Sequence, residues 1–188
     1  MRTSIPLALL VLLSMTSVQA SQLDLVVNGA FEDPLAQGWA QTTAGANCLI
    51  SRQQDADEDD DYEVQLRKGL TTGHAKIWQR TAIPSTDLQF SVDLAIEEGS
   101  GNGAWGAGGI YLHYLDQHGN ILGRTGILAK SSLCPWTASD TFHIIEVPSS
   151  DWAYWSFNVA DELLYLGGVD PNAVKELEVI LAVEASDC

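Results

Sequence analysis

The chain has 188 residues, with 25 Asp and Glu against 9 Lys and Arg, a formal charge of −16 and an isoelectric point near 4.3. So acidic a surface repels nucleic acid and anionic lipid, and it suits a neutral or cationic partner, bound cations or a saline setting. The length is enough for one domain with a sizeable core and too short for two comfortable ones.

Residues 1–20, MRTSIPLALLVLLSMTSVQA, carry one base at Arg2, an apolar run through Leu13 and a small-residue close at Ala20. That is the layout of a secretory signal peptide, and its apolar core is too short to span a bilayer as a helix. Removing it takes away Arg2 and no acid, so 188 − 20 leaves 168 residues and the charge moves from −16 to −17. No later segment is apolar for long enough to cross a membrane, and no hydrophobic tail directs a lipid anchor. The expectation is a secreted protein, extracellular or periplasmic, in which residues 21–188 form a single domain.

Behind the signal, LVVNGAFEDPLAQGW predicts a strand over 25–27 and then a turn. Further strands are predicted over 48–52, 62–68, 75–83, 88–96, 110–115, from 121, and over 142–147, 152–157 and 174–185. The clearest is 88–96, where Leu88, Phe90, Val92, Leu94 and Ile96 alternate with Gln89, Ser91, Asp93 and Ala95, the pattern of a strand with one buried face. Ile110, Leu112 and Tyr114 alternate with Tyr111 and His113, and DQHGN then turns the chain into the strand beginning at Ile121. The segment NVADELLYLGGVDP offers a capping Asn158, a helix-favouring middle and a Gly-Gly close, predicting a short helix near 159–166 that connects strands and stays outside the core. About ten short strands with turns rich in Gly, Asp and Ser predict an all-β, two-sheet sandwich.

Cys48, Cys134 and Cys188 permit at most one disulfide within the chain, and the sequence leaves the pairing open. Cys48 with Cys134 is preferred, because a chain terminus is often mobile. Neither the cysteines nor the scattered histidines have zinc spacing. In DADEDDDYE the alternating Asp55, Asp57 and Asp59 imitate an EF-hand, but the sixth loop position is Asp60 instead of Gly and the twelfth is Leu66 instead of Glu, which rules it out.

The order NGAFE, a Gly-Trp, YEVQLRKG, AKIWQRTAIP, LQFSVDLAI and a closing strand after GVDP resembles the jelly-roll carbohydrate-binding modules of the galactose-binding-like superfamily, across most of residues 24–186. The resemblance implies a two-sheet jelly-roll β-sandwich with one short connecting helix, and often a structural calcium at the N-terminal turn. Matching the family's ligand pattern, the Ala30 carbonyl, Glu32, Asp60 or Asp61, and the carbonyl of Glu63 would face the ion. Where the family has an Asp near the start of the last strand, this chain offers only Glu178. The residue-based alternative is that Glu32 and the 55–63 acids form a solvated surface.

Sugar recognition needs flat apolar faces and a few hydrogen-bonding side chains. With Ile77, Gln79 and Ile83 facing inward, Lys76, Trp78 and Arg80 share the outer face of their strand. Were the strands 75–83, 88–96 and 110–115 to lie in one sheet, Trp78, Arg80, Asp93, Tyr111 and His113 would line one groove, and the resemblance favours binding across such a sheet. A loop mode is the alternative, with Trp105 displayed by the glycine-rich segment 99–109, unless Trp105 folds back on the body. Trp39, Trp152 and Trp155 are expected in the core or at sheet edges, and Trp136 as a loop anchor or a contact.

No nucleophile elbow, phosphate loop or His-Glu-x-x-His pair is present. A lyase, with Tyr111 and His113 as a base and acid two residues apart on one strand face, or a hydrolase using two of the many carboxylates, remains an alternative. The resemblance thus implies a non-catalytic carbohydrate binder, and the acidic composition predicts no nucleic-acid or membrane partner. A free-standing structural or adhesion sandwich is the rival, and oligomeric state is not encoded legibly.

Overall fold

The computed structural model describes residues 25–54, 62–69, 71–96, 104–148 and 150–186. The described residues form ten strands in two layers. One layer is a six-stranded sheet in the order β1 (Ala40–Ala44), β4 (Gly73–Ala82), β10 (Glu176–Ser186), β6 (Trp105–Leu115), β7 (Ile121–Lys130) and β8 (Phe142–Glu146). All neighbours are antiparallel except β7 and β8, which run parallel. The second layer consists of two antiparallel ribbons, β2 (Cys48–Gln54) with β3 (Tyr62–Lys68), and β5 (Gln89–Ile96) with β9 (Ser150–Asn158).

Alternation sends one set of side chains between the layers. Ile77, Ile110, Leu112, Ile127 and Val179 come from the sheet, and Ile50, Val64, Phe90, Val92, Leu94 and Trp155 pack on them from the ribbons. Ile77 is fully buried, so truncating it to Ala would cost about 2–5 kcal/mol. The predicted hairpin turn forms at 116–120: the Asp116 carboxylate accepts from the Asn120 side-chain amide at 2.8 Å and from the backbone N–H groups of Asn120 and His118 at 2.9 and 2.7 Å, which lowers its pKa.

Three expectations need correction. Residues 25–27 are not a strand; instead the Gln79 side-chain amide clamps Val27, accepting from its N–H and donating to its carbonyl, each at 2.9 Å. The first strand is Ala40–Ala44, an exposed edge whose AQTTA sequence has no apolar alternation to reveal it. The helix α1 (Val159–Leu163) is capped by Asn158, whose side chain accepts from the Ala160 N–H at 2.8 Å, but it is no mere connector. Val159, Leu163 and Leu166 recur at helical spacing and are buried in the core. The nearly buried Glu162 ties α1 to the sheet by accepting from Thr125 at 2.9 Å and bonding His143, while Thr125 also bonds the Tyr114 hydroxyl.

Cys48 and Cys134 are free thiols, not the preferred pair. Cys48 opens β2 with its sulfur against the carbonyls of Ala44 and His74, whereas Cys134 is buried in the connection between β7 and β8. Cys188 lies outside the described residues.

Candidate functional site

Parallel neighbours cannot be joined by a tight turn, so the chain leaving β7 at Lys130 must cross a face of the sheet before entering β8 at Phe142. It crosses the outer face, the side away from the ribbons. Trp136, from this crossover, stands edge-on to Tyr111 at 5.9 Å and to Trp105 at 5.4 Å. The Tyr111 ring lies over Gly126, its register partner on β7, where an added Cβ would meet the ring at 3.3 Å. Tyr111, Leu128, Phe142, Ile180 and Ala182 thus form a second, smaller apolar cluster outside the sheet.

The strand register decides what the rest of this face presents. One row across the sheet reads Arg80, Glu178, His113, Arg124 and Phe142, and the next reads Trp78, Ile180, Tyr111, Gly126 and Ile144. In the first row Glu178 binds Arg80 at 3.3 Å through one oxygen and His113 Nδ1 at 3.1 Å through the other. Arg80 also approaches Glu176 at 3.7 Å and rests against Gly119 of the hairpin turn, leaving its side chain 46% exposed. Arg124 lies over the Phe142 ring at 3.9 Å. Burial lowers the His113 pKa, the hydrogen bond and charge of Glu178 oppose that, and Arg124 and Lys76 add to the lowering.

Beyond the reach of the crossover, at the β1 side, the face opens into a depression of about 340 Å³ lined by Val27, Gly38, Ala40, Trp78, Gln79, Arg80 and Glu178. Small residues make it: Ala40 is the register partner of Trp78, and Gly38 has φ +111, where a Cβ would press on the Val27 carbonyl at 2.9 Å. Trp78 is half-buried with the Lys76 ammonium 5.3 Å from its ring centre.

The nominated residues therefore divide. Trp78, Arg80 and His113 do share one face, joined by Glu178, which the metal pattern had claimed. Tyr111 shares that face but is sealed beneath Trp136; its hydroxyl has no partner among the described residues, and burial, with smaller contributions from Glu184 and Cys134, pushes its pKa far up. A phenol so placed stays protonated and out of reach, the opposite of what a catalytic base needs. Trp105 folds back on Trp136 instead of standing out on its loop. Asp93 is not in this sheet, because β5 pairs only with β9 among the described residues. Sequence alternation missed Trp136 as the cover and Glu178 as the bridge, and only the β4-β10-β6 order could have shown the bridge.

The turn expected to hold calcium is fastened by hydrogen bonds. Asn28 and Asp33 exchange hydrogen bonds across it at 2.9 Å, and Trp39 donates to the Asn28 carbonyl at 3.0 Å. The Arg52 guanidinium, 3.2 Å above the Tyr62 ring centre, donates to the carbonyls of Phe31 and Glu32. The Arg52 guanidinium thus ties β2 to the turn, and Glu178 bonds Arg80 and His113. Glu63 accepts from Gln53, and Asp60 and Asp61 lie outside the described residues. Among those described, no three His, Cys, Asp or Glu side chains gather into a cluster.

No family model and no curated protein sequence matches the chain. Among solved structures it is similar to the enzymatically active domain of tailspike protein 4 from bacteriophage CBA120, at 14% identity and a TM-score of 0.50, over 85% of this chain and 19% of that one. It is also similar to the family 11 carbohydrate-binding module from Clostridium thermocellum in complex with a β-1,3-1,4-mixed-linked tetrasaccharide, at 11% identity and a TM-score of 0.41, over 84% of this chain and 89% of the module. The chain spans about a fifth of the length of that tailspike chain, and the likeness bears on the fold alone, which the strands themselves show to be an all-β sandwich. The likeness to the module is too loose to add to it.

Proposed function

We propose that the protein is an exported, non-catalytic carbohydrate binder that takes a neutral poly- or oligosaccharide in the depression beside Trp78. The observation carrying this reading is an aromatic face left open by Gly38 and Ala40 next to a fixed Arg80–Glu178 pair. Trp78 stacks on the C–H face of a pyranose, Arg80 donates to its hydroxyls and Glu178 accepts from them. His113 is a positioning residue that holds the Glu178 carboxylate from β6. The net charge of −16 disfavours an anionic polymer.

Retardation in gels containing neutral polysaccharides tests the reading. Trp78→Ala should weaken binding by about 2 kcal/mol, roughly thirtyfold. Arg80→Gln, at an exposed position, should weaken it roughly tenfold for loss of a charged hydrogen bond. Thermal melts establish that both variants fold. A wild-type protein that no neutral polysaccharide retards has a structural or adhesive role instead, and release of reducing or unsaturated sugar ends would make it an enzyme.

A further inference from the structure

The ribbon β5–β9 turns its other face to solvent, away from the core. On β9, Trp152 and Tyr154 are 54% and 65% exposed, where the sequence places Trp152 in the core or at an edge. Two residues apart on one strand, they point the same way with about 6.6 Å between them. Asp93 is the register partner of Tyr154 and Ser91 of Ser156, and all of these are exposed. Beside Trp152 the register slips at the bulge between Leu94 and Ile96, where β5 offers only the methyl group of Ala95.

Several other outward rings among the described residues already have partners. Tyr62 lies under Arg52, Phe142 under Arg124, Trp105 against Trp136, and Tyr165 is stacked on His143. Trp152 and Tyr154 have no cation or ring partner among the described residues, and neither β5 nor β9 contains Lys, Arg or His. Two bare rings in line, flanked by a carboxylate and hydroxyls, match a ligand with apolar ring faces and a hydroxyl rim. The Asp93 carboxylate and the absence of any Lys, Arg or His on both strands disfavour an anionic ligand, and the charge of −16 opposes pairing with a second copy of this chain.

We infer that this face is a second glycan-binding platform, on which Trp152 and Tyr154 stack on successive rings of a neutral polysaccharide while Asp93 accepts from its hydroxyls. It shares only the ligand class with the Trp78 depression. The two lie on opposite outer faces of the sandwich, so one molecule can bridge two polysaccharide chains.

The experiment uses the full chain with a neutral soluble β-glucan, with chitosan as a cationic and alginate as an anionic comparison. Wild type, Trp78→Ala, the double variant Trp152→Ala/Tyr154→Ala and the triple variant are compared by gel retardation and by the turbidity that bridging produces. The double variant should bind the neutral glucan roughly tenfold more weakly than wild type and raise no turbidity, and the triple variant should not be retarded at all. Asp93→Asn, which removes charge and keeps the fold, should weaken binding by a smaller factor. A double variant retarded as strongly as wild type overturns this inference while leaving the Trp78 reading intact, whereas an unaffected Trp78→Ala does the reverse. Retardation by chitosan alone, abolished by salt, overturns the neutral-glycan assignment, as does a wild type that no neutral polysaccharide retards.

Discussion

In β6, Tyr111 and His113 alternate with Ile110 and Leu112; in β9, Trp152 and Tyr154 alternate with Ala153 and Trp155. Both strands lie in a two-layer sandwich and turn aromatics to their outer side. Yet Tyr111 is 6% exposed and Tyr154 is 65% exposed. The difference comes from the connections. The parallel pairing of β7 and β8 forces a crossover, which lies over β6, while among the described residues no connection covers Trp152 or Tyr154 on β9. Alternation determines which face a residue takes, and the path of the loops determines whether that face meets water.

The largest test of this contrast is Trp136→Ala, which uncovers the β6 face. Losing a packed indole should cost about 3 kcal/mol, which thermal unfolding would register as a midpoint fall of roughly 6–12 °C for a chain of this size. The Tyr111 phenol should then titrate nearer its ordinary value, as read by ultraviolet absorbance. An unmoved midpoint would mean that the crossover is not what seals the face.

Next comes Tyr111→Phe. Its hydroxyl is buried without a partner among the described residues, so deleting it should raise stability by up to about 1 kcal/mol, whereas a loss in chemical denaturation would reveal a bond the hydroxyl makes. A smaller effect is expected from pH. Because the folded His113 pKa lies below 6.5, the folded state binds fewer protons there than the unfolded state. Its contribution to stability is therefore fully present above pH 6.5 and declines as pH falls through that value toward the folded pKa. His113→Gln should flatten this part of the stability profile, and an identical slope in the variant would remove His113 as its source. Smallest of all, Trp152→Ser on the bare β9 face should change stability by no more than about 0.5 kcal/mol. A large loss there would show that the ring is packed.

Much of the fold was legible because hydrophobic periodicity is written locally. The alternations at 88–96 and 110–115, the DQHGN turn and the Asn158 cap all appear where the residues place them. Ala40–Ala44 was illegible because an exposed edge strand of small and polar residues buries nothing that would impose a period. The candidate site was half legible: Trp78, Arg80 and His113 share a face as alternation requires. That Asp93 stands across the molecule, and that Glu178 joins Arg80 to His113, depends on which distant strands become neighbours, which no window of sequence contains. The Arg52 clasp on the N-terminal turn is of the same kind, a contact between residues about twenty positions apart whose carbonyl partners have no side-chain signature.

The position of β10 between β4 and β6 has a kinetic corollary. Until residues 176–186 have been synthesised, β1 and β4 have no backbone partner linking them to β6, β7 and β8, so the growing polypeptide can complete its hairpins but not its principal sheet. Maturation therefore waits on a late, long-range zippering event, which favours slow acquisition of structure and keeps the nascent chain pliable.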